Sequence, residues 1–166
     1  MKKLQIIAAF ILISFTTLSQ GKIQKWTPAV KAGVGTWLDI SSLLHVEIGA
    51  QLEYRSSEIF SLTGNVDFAR NFAMNSTANA FNQLSISAGP RFYIKNKIFV
   101  GAGFGYIQNF YNTYTSYSSG ALLLDAYAGY NTRRIQYAVD FKVNTSLGVI
   151  DSYISLMAAF KFGKKK

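Results

Sequence analysis

The residues that could carry chemistry are one histidine and a set of charged side chains that recur at alternate positions. His45 is the only histidine of the chain, and Glu47 and Glu53 follow it with the same parity. A histidine beside a carboxylate can act as general base for a nucleophile, provided that both groups reach the substrate. The candidates that share this polar pattern are Lys31, His45, Glu47, Glu53, Asp67, Arg91, Asp125, Asp140 and Lys142. Alternatively, these charges pair with one another, or they line a polar path for small solutes or ions.

The segments that carry these residues alternate apolar and polar side chains with a period of two. In the clearest segment, the even positions from Leu44 to Tyr54 are apolar, and the odd positions from His45 to Glu53 are polar or glycine. Successive side chains of a strand point to opposite faces, so the segment has one apolar and one polar face. Each of eight such segments is long enough to cross a bilayer as a tilted strand, which takes about 9–11 residues. The predicted strands are 28–38, 43–54, 59–70, 82–94, 97–109, 120–130, 134–144 and 152–162.

Glycine indicates which face is inside. Eight glycines lie on the polar face: Gly33, Gly35, Gly49, Gly89, Gly101, Gly103, Gly105 and Gly129. On a strand face washed by water, glycine costs stability and packs nothing, whereas a narrow barrel needs small residues beside large ones. The pattern therefore predicts an all-β fold, a closed eight-stranded antiparallel transmembrane barrel of meander topology, with its polar face inside. Gly64 and Gly120 have the apolar parity and are exceptions.

The N-terminus has the features of a secretory signal. Lys2 and Lys3 precede an apolar stretch, and Thr17-Leu18-Ser19 forms a small-x-small cleavage site. We predict a signal peptide over 1–19, an outer-membrane barrel domain over 20–162 and a basic tail over 163–166. Although the chain has a net charge of +9, its export argues against nucleic acid as a partner. It contains no cysteine, which excludes a disulfide framework and a lipoprotein anchor.

The connections, one proline and the aromatic residues add four expectations. Connections after the second, fourth and sixth strands are tight and those after the third, fifth and seventh are longer, which is typical of outer-membrane proteins with short periplasmic turns. Pro90 removes a donor from a closed sheet and predicts a β-bulge. The long connection around Tyr111, Tyr114 and Tyr117 is either a surface-contact loop or an extension of the flanking strands. Aromatics near strand ends suit interfacial girdles: Trp37, Tyr54, Phe60, Phe92, Tyr130, Tyr153, Phe160 and Phe162.

The whole mature chain resembles the small porin-like outer-membrane β-barrel proteins common in Bacteroidetes-type bacteria, which are related in architecture to OmpA and OmpX. The resemblance rests on the signal, the strand rhythm, the segment Ser87–Phe92 and the closing segment Ala158–Phe162. The closing segment is similar to the aromatic-ended strand that the barrel-assembly machinery recognises, although Gly163 and three lysines follow Phe162. The resemblance implies a bacterial outer-membrane location, contact with outer-membrane lipid, assembly by that machinery, and an unidentified extracellular or envelope partner.

The interpretation that we favour is a non-enzymatic barrel with a plugged polar lumen and a structural or surface-contact role through its outer loops. No catalytic, cofactor-binding or metal site is predicted. Three alternatives stay open: a lipid A-modifying barrel enzyme built on His45, a narrow pore for small solutes, and a soluble lipocalin-like barrel. The last is suggested only by Gly35-Thr36-Trp37.

Overall fold

A computed structural model describes residues 25–38, 43–74, 80–111, 117–146 and 149–162. Every regular element in them is a β-strand, as predicted. The strands are β1 Lys25–Trp37, β2 Leu43–Arg55, β3 Phe60–Ala73, β4 Phe81–Ile94, β5 Ile98–Tyr111, β6 Tyr117–Asn131, β7 Ile135–Ser146 and β8 Val149–Lys161. The predicted signal peptide and basic tail, with Tyr114, lie outside these residues. None of the described segments forms a helix with the length and apolarity needed to cross a bilayer.

The strands form one closed antiparallel barrel in sequence order, because β8 pairs with β1. Following paired residues once around the barrel from Lys25 returns to β1 at Gly35, ten residues further along (35 − 25 = 10). With a rise of about 3.3 Å per residue and strands about 4.8 Å apart, this stagger corresponds to a strand tilt of about 40°. An eight-stranded barrel of this kind is just wide enough for side chains to fill its interior.

The turn between β4 and β5 shows how the sequence sets a hairpin. Lys95 and Asn96 both have positive φ, 50° and 61°, and the Lys97 amide donates to the Ile94 carbonyl at 3.1 Å. This is the type I′ geometry that matches the twist of flanking strands and that asparagine tolerates well. The predicted tight turn at Lys95-Asn96 is confirmed.

The β-bulge predicted at Pro90 is wrong. Pairing of β4 with β5 stops after Ala88–Phe104 and resumes at Arg91–Gly101 with the same register, so no residue is inserted. Glycine accommodates the interruption instead. A Cβ at Gly89 would collide with the carbonyl oxygen of Ala102, so the two backbones approach closely at this point.

The two faces of the wall have the predicted orientation. The charged parity is buried inside, and large apolar side chains of the other parity, such as Ile48, Leu156 and Phe104, are exposed on the outside. A Cβ on any of the eight inward glycines would approach a neighbouring atom too closely for a real contact. Glycine at these positions therefore makes room for side chains or backbone of the adjacent strands. Gly64 faces outward over open space, and the Tyr106 ring covers Gly120.

The strands extend further at the long-loop end than the sequence suggested. β3 continues to Ala73, β5 continues to Tyr111, and β6 begins at Tyr117. The predicted long connection around Tyr111 and Tyr117 is therefore largely strand, and only 112–116 lie outside the described residues. Of the two readings of that connection, the strand extension describes the backbone better. β7 ends at Ser146 and β8 begins at Val149, so the longer connection expected after the seventh strand is wrong, because only two residues separate the strands.

Candidate functional site

The centre of the barrel interior holds an ion-paired cluster around Lys142. This lysine of β7 is 1% exposed, and its Nζ lies 2.9 Å from Oε2 of Glu47 on β2. The same Nζ lies 3.5 Å from Asp140 and 3.6 Å from Asp67 on β3. Lys31 of β1 adds a 2.8 Å ion pair with Asp67. The cluster therefore bridges β1, β2, β3 and β7 directly across the lumen.

Asp125 lies beside this cluster but is held differently. Its Oδ2 accepts a hydrogen bond from Ser87 at 2.9 Å, and no described cation lies within ion-pair distance of it. Asp67, Asp125 and Asp140 each keep one buried carboxylate oxygen without a hydrogen-bond partner among the described residues. In this part of the lumen, carboxylates outnumber strong cations.

His45 is fully enclosed and has both ring nitrogens engaged. Nδ1 lies 2.8 Å from Oδ1 of Asn71, and Nε2 lies 3.0 Å from Oε2 of Glu47. Its exposure is 0%, and its ring packs 4.5 Å from that of Tyr153. The histidine is thus a polar member of the interior with no open path to the outer wall.

A second charged group lies nearer the short turns and is centred on Arg91. Its Nη1 lies 3.5 Å from Oε2 of Glu53 and donates to the Gln136 side chain at 3.0 Å. The guanidinium also lies over two aromatic rings, 4.5 Å from the centroid of Phe99 and 5.0 Å from that of Tyr127. Stacking on aromatic faces suits the planar and weakly hydrated guanidinium better than it would suit lysine.

All nine residues proposed from the sequence for the polar network lie inside the barrel and are at least nine-tenths buried. Lys161, which shares the inward parity, is not part of either group. Its ammonium donates to Asn131 and to the Thr132 carbonyl, which ties the end of β8 to the β6–β7 turn.

The long-loop end of the lumen is closed by an apolar cluster that the sequence analysis assigned incorrectly. Trp37 and Tyr153 are 3% and 1% exposed and pack with Leu43 and Phe81. The interfacial girdle is therefore wrong for Trp37 and Tyr153, whose inward parity was the signal against it. Tyr111, expected at a contact surface, is half-buried and stacks on Phe81 at 5.0 Å between ring centroids. Of Tyr117, the structure describes only the backbone.

The sequence analysis also missed the amides that extend each charged group. Asn71 donates to Gln83 at 3.0 Å, and Gln83 donates to Asn109 at 2.9 Å, which forms a chain beneath the aromatic cluster. Gln51 donates to Gln136 at 3.2 Å beside Arg91. These residues share the inward parity, which was the available signal, but uncharged side chains did not stand out in the pattern.

Little space remains between the two charged groups. A cavity of about 30 Å³ lies between them, lined among others by Lys31, Arg91, Asp125, Tyr127 and Asp140. A volume of this size accommodates one or two water molecules. Unpartnered atoms of Arg91, Asp125 and Asp140 belong to its lining residues and would supply hydrogen bonds to such waters. Among the described residues, no group of acidic, histidine or cysteine side chains has the arrangement of a metal site.

The outer wall carries an apolar band with several polar side chains near its upper level. Outward side chains are predominantly apolar from Trp26 up to Val34 on β1, with equivalent levels on the other strands, and Thr36 follows. Ten residues separate Trp26 from Thr36 (36 − 26 = 10), which at the tilt above corresponds to about 25 Å along the axis, the height of a membrane-facing band. The polar outward side chains near that upper level are Thr36, Arg70, Asn82, Gln108, Thr145 and Ser152, whereas β2 presents Leu44 and β6 presents Gly120.

Comparison with known proteins identifies the fold. No protein-family model matches the sequence, and no curated protein does either. Among solved structures, the chain is similar to Ail, the attachment invasion locus protein of Yersinia pestis. The TM-score is 0.63 at 14% identity, covering 84% of this chain and 100% of Ail. It is also similar to the N-terminal β-barrel domain of Pseudomonas aeruginosa OprF, with TM-score 0.56, 12% identity and coverage of 82% and 97%. For Neisserial surface protein A, the TM-score is 0.54 at 13% identity, covering 82% of this chain and 96% of that protein. The fold is thus that of eight-stranded outer-membrane β-barrels.

Proposed function

We propose that the chain is an integral protein of a bacterial outer membrane, exported by its signal peptide, whose barrel is a closed wall with a plugged polar lumen. The observation that carries this proposal is that the polar face of the sheet is inside the barrel and the apolar face is outside. Ionisable side chains are buried inside a closed hydrogen-bonded ladder, and a band of exposed apolar side chains about 25 Å high surrounds it. Lipid offers no partner to a free strand edge, so a closed barrel is a form of sheet that hydrocarbon tolerates.

Membrane insertion is tested by fractionation together with a gel of boiled and unboiled samples. The folded barrel is expected in the outer-membrane fraction and should migrate differently when it is not boiled. Recovery of the full-length protein in the aqueous fraction without detergent would support the soluble lipocalin-like alternative and overturn the proposal.

The plug is supported by the way the interior is filled. The cap formed by Trp37, Leu43, Phe81 and Tyr153, the cluster around Lys142 and the group around Arg91 follow one another in this order along the axis. The cavity between the charged groups holds only about 30 Å³. Barrels that enclose a water-filled channel use about 16–18 strands. In planar bilayers we expect no discrete openings from the purified protein, and steady unitary conductance would establish the narrow pore instead.

A non-enzymatic role is supported by the surroundings of His45. A lipid-modifying enzyme must present its base and nucleophile to an acyl chain outside the wall, whereas both nitrogens of His45 are bonded to Asn71 and Glu47 inside it. We expect lipid A from cells with and without the protein to have the same acyl pattern by mass spectrometry. A difference that His45→Ala abolishes would favour the enzyme.

The proposed work of the protein is envelope structure or contact through the outer loops. Ail is named for attachment and invasion, and it has been solved in complex with the heparin analogue sucrose octasulfate. For the present chain, the contact surface would include the connection that holds Tyr114, with Tyr111 and Tyr117 at its two ends. Replacing residues 112–116 by a glycine–serine linker should abolish cell-surface adhesion conferred by the protein while leaving heat-modifiability intact.

The narrower assignment to the Bacteroidetes-type porin-like family rests on the sequence resemblance. We propose with it that the barrel-assembly machinery inserts the chain through the segment ending at Phe162. Depletion of that machinery should leave the unfolded chain in the periplasm, whereas normal insertion would refute this dependence.

A further inference from the structure

The charges outside the lumen are distributed unequally between the two ends of the barrel. At the short-turn end, two neighbouring turns carry four exposed basic side chains, Lys95, Lys97, Arg133 and Arg134, which we call the basic turn surface. None of the four makes an ion pair with another described residue. At the long-loop end, Arg70 is the basic side chain among the described residues, and it donates to Asn82 at 2.9 Å.

The two basic turns form one structural unit. The amide of Asn131 donates to the Lys97 carbonyl at 2.5 Å, and its side chain donates to the Asn96 carbonyl at 3.2 Å. Thr132 accepts a hydrogen bond from the Ile135 amide at 3.0 Å, which holds the second turn closed. Four exposed basic residues are therefore carried on two turns that are hydrogen-bonded to each other. An anion that binds among them lowers the repulsion between these like charges.

The depth of the basic turn surface indicates which anion fits. Ile94 and Ile98 flank the first turn, and Tyr130 and Ile135 flank the second, where the apolar outer band begins. The first three are about half exposed on the outer wall. The four charges consequently lie directly beyond the hydrocarbon boundary, at the level of lipid headgroups. A tyrosine beside them suits that interface.

We propose that the basic turn surface binds the headgroups of anionic phospholipids in the periplasmic leaflet and enriches these lipids around β4 to β7. This inference rests on the proposed outer-membrane location. Basic residues close to a bilayer attract anionic lipid electrostatically, and the attraction weakens as salt screens it. Continuity with the apolar band favours a lipid over a soluble polyanion. The headgroup of a bound lipid pairs with the basic side chains, and its acyl chains cover the adjacent apolar wall.

The test places one tryptophan reporter beside the surface and another away from it. In the first protein, Trp26→Phe and Tyr130→Trp put the exposed reporter next to the basic turns. In the second, the unaltered chain reports through Trp26, which is 61% exposed on β1, three strands from β4 and two strands from β7. Trp37 is buried in the lumen of both. Each protein is refolded into phosphatidylcholine vesicles that contain brominated phosphatidylglycerol or brominated phosphatidylcholine, and quenching gives the relative association of the two lipids.

At the Tyr130→Trp reporter, we expect phosphatidylglycerol to associate about two- to fourfold more strongly than phosphatidylcholine at low salt. The preference should be smaller at Trp26 and should fall to about one for the variant Lys95→Gln/Lys97→Gln/Arg133→Gln/Arg134→Gln, and also in high salt. Heat-modifiability confirms that this variant is folded. Equal association at the first reporter, or a preference that the four substitutions leave unchanged, would overturn the inference.

Two further results distinguish the inference from its alternatives. If the four substitutions abolish co-sedimentation with purified cell-wall sacculi but leave lipid quenching unaltered, the surface binds the wall and the lipid proposal is wrong. If the unaltered chain fails to insert into vesicles at all, the proposed membrane location itself fails. Insertion without lipid preference refutes only the present inference.

Discussion

Replacing Lys142 with methionine is the sharpest test of an interior held together by charge. The substitution keeps the length of the side chain but removes the cation that lies within 3.6 Å of Glu47, Asp67 and Asp140. Lys31 then remains as the strong cation beside these carboxylates and Asp125. Removing one partner from a buried ion pair typically costs about 3–5 kcal/mol, because the remaining charge is left uncompensated.

That cost corresponds to a change of about a hundred- to several-thousand-fold in the unfolding equilibrium. The measurement is the free energy of unfolding in vesicles from a denaturant titration, followed by the difference in gel migration between boiled and unboiled samples. Arg70→Met is the matched control, since it removes a half-buried cation from the outer face and should cost at most about 1 kcal/mol.

The double variant Lys142→Met/Glu47→Leu completes a thermodynamic cycle. Removing both partners leaves fewer uncompensated charges, so the double variant should lose less stability than the sum of the two single variants, with a coupling of about 1–3 kcal/mol. A loss below about 1 kcal/mol for Lys142→Met, or strict additivity in the cycle, would show that water rather than ion pairing solvates these carboxylates. The description of a plugged interior would then be wrong.

Three other predictions follow from the wall and its ends. Gly105→Ala should destabilise the barrel by more than about 1 kcal/mol in the same titration, because its Cβ would collide with the Ile86 carbonyl. Gly64→Ala faces an open groove and should be neutral or slightly stabilising. Equal effects of the two substitutions would contradict the inward placement of Gly105. Nitroxide labels at Ile48 and Val139 should be accessible to oxygen in the acyl region, and labels at Glu58 and Lys97 to a water-soluble relaxant; the reverse pattern would invert the barrel. Trp37→Ala should lower the free energy of unfolding by about 3–5 kcal/mol, because it removes the aromatic cap and the hydrogen bond to Asn71. Trp26→Ala, on the exposed wall, should cost much less. Similar losses for the two variants would argue against the cap.

Period and glycine placement were sufficient to predict the architecture. A two-residue period assigns each side chain to one face, so the inward position of residues such as Lys31 and Asp140 followed from the sequence without knowledge of their neighbours. Glycine then indicated which face was interior, because a narrow barrel needs small residues beside large ones. These are local properties, and they do not depend on which strands pair.

Side-chain pairing could not be predicted in the same way. Whether Lys142 meets Glu47 depends on the stagger accumulated around the barrel, because the two residues lie on β7 and β2 and contact each other across the lumen. A change of two residues in one hairpin would keep every residue on its face while moving Lys142 to a different level. The parity pattern is unaffected by such a shift, so it places Trp37 inside the barrel but does not identify Phe81 as its neighbour.

The interior therefore does the stabilising work that an apolar core does in a soluble protein. The outer wall loses little by meeting lipid, so the contacts that select one register must come largely from inside. Among the described residues, apolar packing there is limited to three small clusters: the cap, the group around Phe99 and Tyr127, and the group of Ile107, Ala121 and Leu123. Elsewhere, directional ion pairs and amide chains join strands that are not neighbours in the wall, as Lys142 joins β7 to β2 and Gln51 joins β2 to β7. Because such bonds tolerate only small displacements, a register slip would break several of them together, which makes the charged interior a determinant of the stagger as well as a plug.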